Sequence, residues 1–119
     1  MFEIDRMIAI IKPTESFLEW INETASKEDN EEDHLTLEEI RQDCTAILIP
    51  SFDDIMEAQH FIEEIYLDIF TFELNSWYTD KTMWPEKPSY DLFKHWFEIE
   101  FHSYVLDYIS EMADTRVLQ

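Results

Sequence analysis

Glycine is absent from this 119-residue chain. Average usage would supply about eight. Phosphate-cradling loops, dinucleotide-binding turns and the elbow that carries a catalytic serine all place glycine where backbone approaches a ligand or takes positive φ. None of them can be present here in standard form. Cysteine is nearly absent as well: Cys44 stands alone, so no intramolecular disulfide forms, and a reducing compartment is the natural one. No apolar run approaches the roughly 18 residues of a membrane span. The leading MFEIDRMIAIIKP sets acids ahead of a run too short for a signal or anchor. A cytoplasmic protein is expected.

Positive charge is the third scarcity, with eight Lys and Arg against 28 Asp and Glu and a net charge of −20. Nucleic acids are polyanions held by cations, so direct nucleic-acid binding is not expected, and anionic membranes are disfavoured for the same reason. A basic protein surface is the natural partner, because a dense negative field steers cationic surfaces and speeds association. Acidity that serves only solubility is the competing explanation. The oligomeric state is not legible.

What the chain does contain is a core. Apolar residues make up 45% and aromatics 15%, and 14 of the 18 aromatics lie from Phe61 onward. One domain over 1–119 is expected, with its core weighted toward the C-terminal half. Met7–Ile11, bounded by Lys12-Pro13, and Thr45–Ile49, followed by Pro50, are β-branched apolar runs and read as buried strands. TESFLEWINETA reads as a helix with Ser16 and Glu19 as a capping box; Thr36 and Glu39 form another ahead of LTLEEIRQ. Ser51, after Pro50, reads as an N-cap. Ser26–His34, with five acids in nine residues, reads as a solvated linker; a calcium loop there lacks the glycine turn and ligand spacing. A C-terminal tail over 111–119 is expected to be mobile.

From Asp53 the apolar spacing is helical through Trp77, either as one helix or as two broken near Thr71, with Glu57, Glu63, Glu64, Asp68 and Glu73 supplying a polar side. Pro85 and Pro88 make 78–90 a loop, after which Ser89 caps a short helix. The stretch HWFEIEFHSY fits either a helical stripe or a strand in which Phe97, Ile99 and Phe101 alternate with Glu98, Glu100 and His102. Two strands alone make a marginal sheet, so a third is expected at about 97–107, behind a helix at about 89–96. The expected class is α+β: a small sheet of about three strands packed against a long helix and two or three shorter ones.

The candidate chemistry is thin. Glu57 and His60 stand three apart on the long helix, and Glu98, Glu100 and His102 share a face of the third strand; with Asp91 and His95 these are the possible metal ligands, provided three or four converge. Cys44 sits behind Asp43, a negative neighbour that raises a thiol pKa, so a structural cysteine is expected rather than a nucleophile. Among 28 carboxylates no acid–base pair stands out. Catalysis and a bound cofactor are therefore not expected. Trp77, Tyr78, Trp84 and Tyr90 form an aromatic island suited to an interaction surface, with core packing as the alternative.

The strings W-Y-T-D-x-x-x-W-P from Trp77 and F-K-x-W-F-x-I-E-F-H-S-x-V-x-D from Phe93 resemble a family of small acidic bacterial proteins of unknown function. T-L-E-E-I and T-A-I-L-I-P are similar to it too. The resemblance implies a bacterial cytoplasmic protein and a strand at FHSYV, and brings no activity or site residue. The leading expectation is a non-enzymatic module that binds a basic protein, of inhibitor, immunity or nucleic-acid-mimic type. A metal-binding protein or metal-dependent enzyme is the alternative.

Overall fold

The structure is a computed structural model that describes residues 2–27 and 34–109. Most of the acidic linker at 26–34, and the whole tail over 111–119, lie outside the described residues. The chain is α+β, with elements in the order β1 (Phe2–Glu3), β2 (Met7–Pro13), α1 (Glu15–Lys27), α2 (Leu37–Ile40), β3 (Thr45–Ile49), α3 (Ile55–Trp77), a 3-10 turn (Lys81–Met83), α4 (Tyr90–Trp96), β4 (Phe97–His102) and β5 (Leu106–Asp107). β2, β3 and β4 form an antiparallel sheet in the order β3-β2-β4, while β1 and β5 pair separately.

Strand alternation gives the sheet two unlike faces. On β2, Met7, Ala9, Ile11 and Pro13 are buried, and their register partners Ile49, Ile47, Ile99, Phe101 and Phe97 join them on the same face. The helices pack there. Phe17 and Ile21 of α1, Ile40 of α2, Ile62, Ile69, Phe70 and Leu74 of α3 and Phe93 of α4 complete one core cluster. Its centre is aromatic: Phe17 lies 4.7 Å from Phe97, Phe93 lies 5.3 Å from Phe97, and Phe70 meets Trp96 edge-on at 5.7 Å.

Helix ends show how a fold is built without glycine. α3 and α4 stop at aromatic residues in extended conformation, Tyr78 (φ −140°) and Phe97 (φ −138°), whose N–H groups still reach Leu74 O and Phe93 O. No left-handed residue is needed at either end. α4 therefore runs straight into β4, the expected third strand, which ends at His102 rather than near 107: residues 103–105 are not strand, and Leu106–Asp107 pair with β1 in the separate sheet.

Starts agree less closely with the expectations. The Thr36–Glu39 capping box forms, and Ser89 accepts from Leu92 N. Ser16 does not cap α1, which begins at Glu15; Leu18 N already donates to Thr14 O, and Thr14 is tied to α4 through His95 O (2.6 Å) and Trp96 O (2.9 Å). Nor does Ser51 cap α3, because Asp54 does, accepting from Met56 N. A carboxylate close to the first turn outbids a hydroxyl three residues earlier. α3 is one unbroken helix of 23 residues. Among the described residues, no helix is long and apolar enough to cross a membrane.

Candidate functional site

The proposed metal ligands do not come together. Glu98, Glu100 and His102 face away from the core, opposite Lys12, Ile10 and Ile8 of β2. On that face His102 Nε2 lies 2.7 Å from Glu100 Oε2, Lys12 lies 3.7 Å from Glu100, and Arg41 lies 3.5 Å from Glu98. The His102 hydrogen bond, chiefly, holds the Glu100 carboxyl below its usual range. Glu57 and His60 lie on α3, across the sheet, where His60 pairs with Glu64 at 3.2 Å. His95 Nδ1 is 2.9 Å from Asp91 O on its own helix. Among the described residues no group of three or more His, Cys, Asp or Glu is placed to hold a metal ion. The open sheet face is thus half ionic, with the charges locally paired, and half apolar, with Leu48 57% exposed beside Ile8.

The aromatic island is tied into the structure by its polar tips. Tyr78 OH donates to Ile21 O (3.0 Å), Trp84 Nε1 to Tyr78 O (2.7 Å) and Trp20 Nε1 to Met83 O (3.1 Å). These bonds fasten the 78–84 loop to α1, with Trp20 edge-on to Tyr78 at 5.3 Å. Tyr90 packs against Tyr66 and Phe93 and carries Lys94 over its ring at 4.8 Å. Trp77, at the end of α3, is the exposed member.

Among the described residues, α3 carries a dense set of exposed carboxylates. Its 23 residues contain no lysine or arginine, and Glu57, Glu63, Glu64 and Asp68 are all exposed. Met56, His60, Glu63 and Leu67, spaced four, three and four apart, make one outward stripe in which Met56 is 69% and Leu67 50% exposed. Beside Met56 and His60 a groove of about 690 Å³ opens between α3, α4 and β4, lined by apolar Ile62, Ile99 and Phe101 and by polar Gln59, Glu63 and Lys94. A second hollow of about 360 Å³, against Phe52 and Phe61, shares Met56 and His60.

Glu73 departs from the polar side assigned to it. It is only 8% exposed, and its Oε1 has no hydrogen-bond partner. Burial pushes its pKa up, against the smaller opposing effect of Thr45. The signal was in the spacing: Ile62, Tyr66, Ile69 and Glu73 stand four, three and four apart, so Glu73 continues the buried stripe. Glu73 and Cys44 line one cavity of about 320 Å³ at the end of the sheet. Burial is also the main cause raising the Cys44 thiol pKa; Arg41 and Lys12 oppose it, and Glu73 and Asp43 add to it. A thiol in that state is a weak nucleophile.

Comparison of the chain with protein families, with curated proteins and with solved structures returns no match.

Proposed function

We propose that this chain is a non-enzymatic interaction module of the cytoplasm that docks a basic protein on the outward face of α3. The observation that carries the reading is a long helix without a lysine or arginine, presenting four exposed carboxylates around exposed Met56 and Leu67 beside a groove of mixed polar and apolar lining. Carboxylates of this kind steer and orient a cationic partner, and apolar side chains between them give contact area. A basic amphipathic segment meets both needs: its apolar side fills the groove, and its lysines or arginines pair with Glu57, Glu63, Glu64 and Asp68. The open sheet face suits such a partner less well, since its carboxylates already have Lys12, Arg41 and His102.

The test is affinity capture from a native lysate with salt elution and identification of what is retained. Three baits are compared: the natural chain, a variant with Glu57, Glu63 and Glu64 changed to Gln and Asp68 to Asn, and a control with Glu15, Glu19, Glu23 and Glu38 changed to Gln. Both variants remove four exposed carboxylates. A basic protein retained by the natural chain and the control, and lost from the α3 variant, is the expected result. Retention of acidic or neutral proteins alone, or equal loss from both variants, overturns the reading.

A further inference from the structure

The cavity at the α3 C-terminus has a composition that the docking reading leaves unused. Its walls come from five elements and the segment before β3: Ile11 and Pro13 of β2, Phe17 of α1, Ile40 of α2, Asp43 and Cys44, Thr45 of β3, and Phe72, Glu73, Ser76 and Trp77 of α3. No lysine, arginine or histidine is among them. Arg41, the nearest cation in sequence, is turned elsewhere, its Nε donating to Pro13 O (2.8 Å) and its guanidinium facing Glu98. Two carboxylates, Asp43 and Glu73, belong to the lining.

We propose that this cavity binds an alkylammonium group, with Glu73 as its counter-ion. Four independent features agree on the chemistry. A carboxyl buried to this degree with one oxygen unpartnered is costly to keep, and a donor brought by a ligand satisfies it. The last turn of α3 carries no basic residue, so the negative end of a 23-residue helix is left open to a cation. Phe17, Phe72 and Trp77 provide aromatic walls for an alkyl stem and its charge. Oxygens suited to an ammonium's three N–H groups are close together. Besides Oε1 these are the hydroxyls of Thr45, which lines the same cavity, and of Ser76, which donates to Phe72 O; both keep lone pairs to accept with.

The geometry favours ammonium over guanidinium. A guanidinium binds best in bidentate fashion, across both carboxylate oxygens. Oε1 is buried and Thr45 stands beside the carboxyl, so the two oxygens are not open together for a fork-on-fork pair. An ammonium needs one oxygen only. Oε1 itself exposes less than 1 Å²; rotation about the soft terminal torsion of the glutamate turns it to the ligand. Neutral ligands gain nothing from Asp43, Glu73 and the helix end together. The ammonium belongs either to a free small amine or to a lysine side chain of a docked protein.

The experiment is a heteronuclear NMR titration of the full chain with n-butylammonium, n-butanol and butyrate. Saturable shifts of the Thr45, Glu73 and Ser76 amides and the Trp77 indole are expected for the ammonium alone. Glu73→Gln, which keeps the shape of the side chain but removes its charge, should weaken binding by about tenfold or more, as a charge-assisted hydrogen bond becomes a neutral-acceptor one. Trp77→Leu, at an exposed position, should weaken it a few-fold and serves as a second variant should Glu73→Gln fail to fold. A pentapeptide with a central lysine, set against norleucine and arginine versions, separates the sources. Tighter binding of the lysine peptide than of butylammonium assigns a protein side chain, and equal or weaker binding assigns a free amine. Shifts of equal size with butanol, unchanged affinity in Glu73→Gln, or no saturation with either ammonium by about 50 mM, far weaker than the millimolar affinities of small sites, overturns the proposal. The four-residue α3 variant leaves this cavity intact, so this site and the docking face fail or succeed separately.

Discussion

Thr45 on β3 and Glu73 on α3 line one cavity, where the Thr45 side chain opposes the rise that burial gives the Glu73 pKa and Oε1 of the nearly buried carboxyl has no hydrogen-bond partner. A strand residue and a helix residue 28 positions apart in sequence thus meet at the edge of an otherwise apolar core. The pair sets the first expected outcome.

Glu73→Met should stabilise the protein. The substitution keeps similar bulk, removes an unsatisfied buried oxygen and leaves Thr45 half-exposed and within reach of water. The expected gain at pH 7 is about 1–3 kcal/mol by denaturant unfolding. It should depend on pH with a definite sign. The folded pKa of Glu73 lies above its ordinary 4.5, so the native state holds a proton that the unfolded chain releases first. The stability associated with the natural residue is fully present below 4.5 and is lost as pH rises through the folded pKa. The advantage of Glu73→Met should therefore widen between about pH 4 and pH 8. A constant advantage would mean that Glu73 titrates as an exposed acid does. A residue that costs stability where it stands, and that a methionine would improve, is the kind retained for a ligand.

Arg41 is the second target, because it joins three elements at once. From the end of α2 its Nε donates to Pro13 O at the close of β2, and its guanidinium faces Glu98 on β4. Arg41→Met should cost about 1–2 kcal/mol, mostly through the carbonyl left without its donor. Glu98→Gln, at a side chain 63% exposed, should cost no more than about 1 kcal/mol. Lysine should rescue only in part, since a compact ammonium cannot keep both contacts as a planar fork does. Denaturant midpoints of the three variants decide it, and equal losses from Arg41→Met and Glu98→Gln would assign the effect to the ion pair instead.

Glu100 offers a test by titration alone. Its carboxyl is held below the ordinary range first by the His102 hydrogen bond, with Lys12 helping. Side-chain NMR should find Glu100 titrating below the ordinary 4.5, and His102→Ala should move it up toward that value. The linkage sign is opposite to that of Glu73: the contribution is present above the unfolded value and fades as pH falls through the folded one. An unmoved Glu100 in His102→Ala would assign the depression to Lys12.

Much of the fold was legible because the local signals agree. MIAII, bounded by Lys12-Pro13, and TAILI, followed by Pro50, are short β-branched runs, Thr36 and Ser89 stand where caps must, and Phe97, Ile99 and Phe101 alternate with charges. The order β3-β2-β4 was not legible, since three apolar strands can be ordered in several ways and only packing against α3 and α1 chooses. Where two caps compete, as Ser51 and Asp54 do, composition alone does not rank them. The candidate sites were read with less success for a physical reason. Glu98, Glu100 and His102 do share a face, yet the two carboxylates are paired with Arg41 and Lys12, which sequence spacing does not reveal. Glu73 was hidden by its company: in a chain with 28 acids, one more glutamate on a helix reads as surface. Its place on the Ile62–Ile69 stripe was the only mark against that.

The last prediction concerns the charge of the whole chain. At −20 the compact state repels itself, and unfolding spreads the charges apart. Five carboxylates on α3 with no lysine or arginine on the same helix concentrate that repulsion, four of them in solvent. Salt shortens the range of such interactions from about 30 Å at 0.01 M to about 8 Å at 0.15 M. The melting temperature should therefore rise by a few degrees over that range, the size expected for about 1 kcal/mol in a chain of this length. Neutralising Glu57, Glu63, Glu64 and Asp68 together should flatten the rise more than neutralising Glu15, Glu19, Glu23 and Glu38, because the α3 set is the denser. Calorimetry at low and moderate sodium chloride distinguishes the cases. A flat or falling melting temperature in the natural chain would mean that pairs such as Arg41–Glu98 and Lys12–Glu100, which salt weakens, outweigh the repulsion.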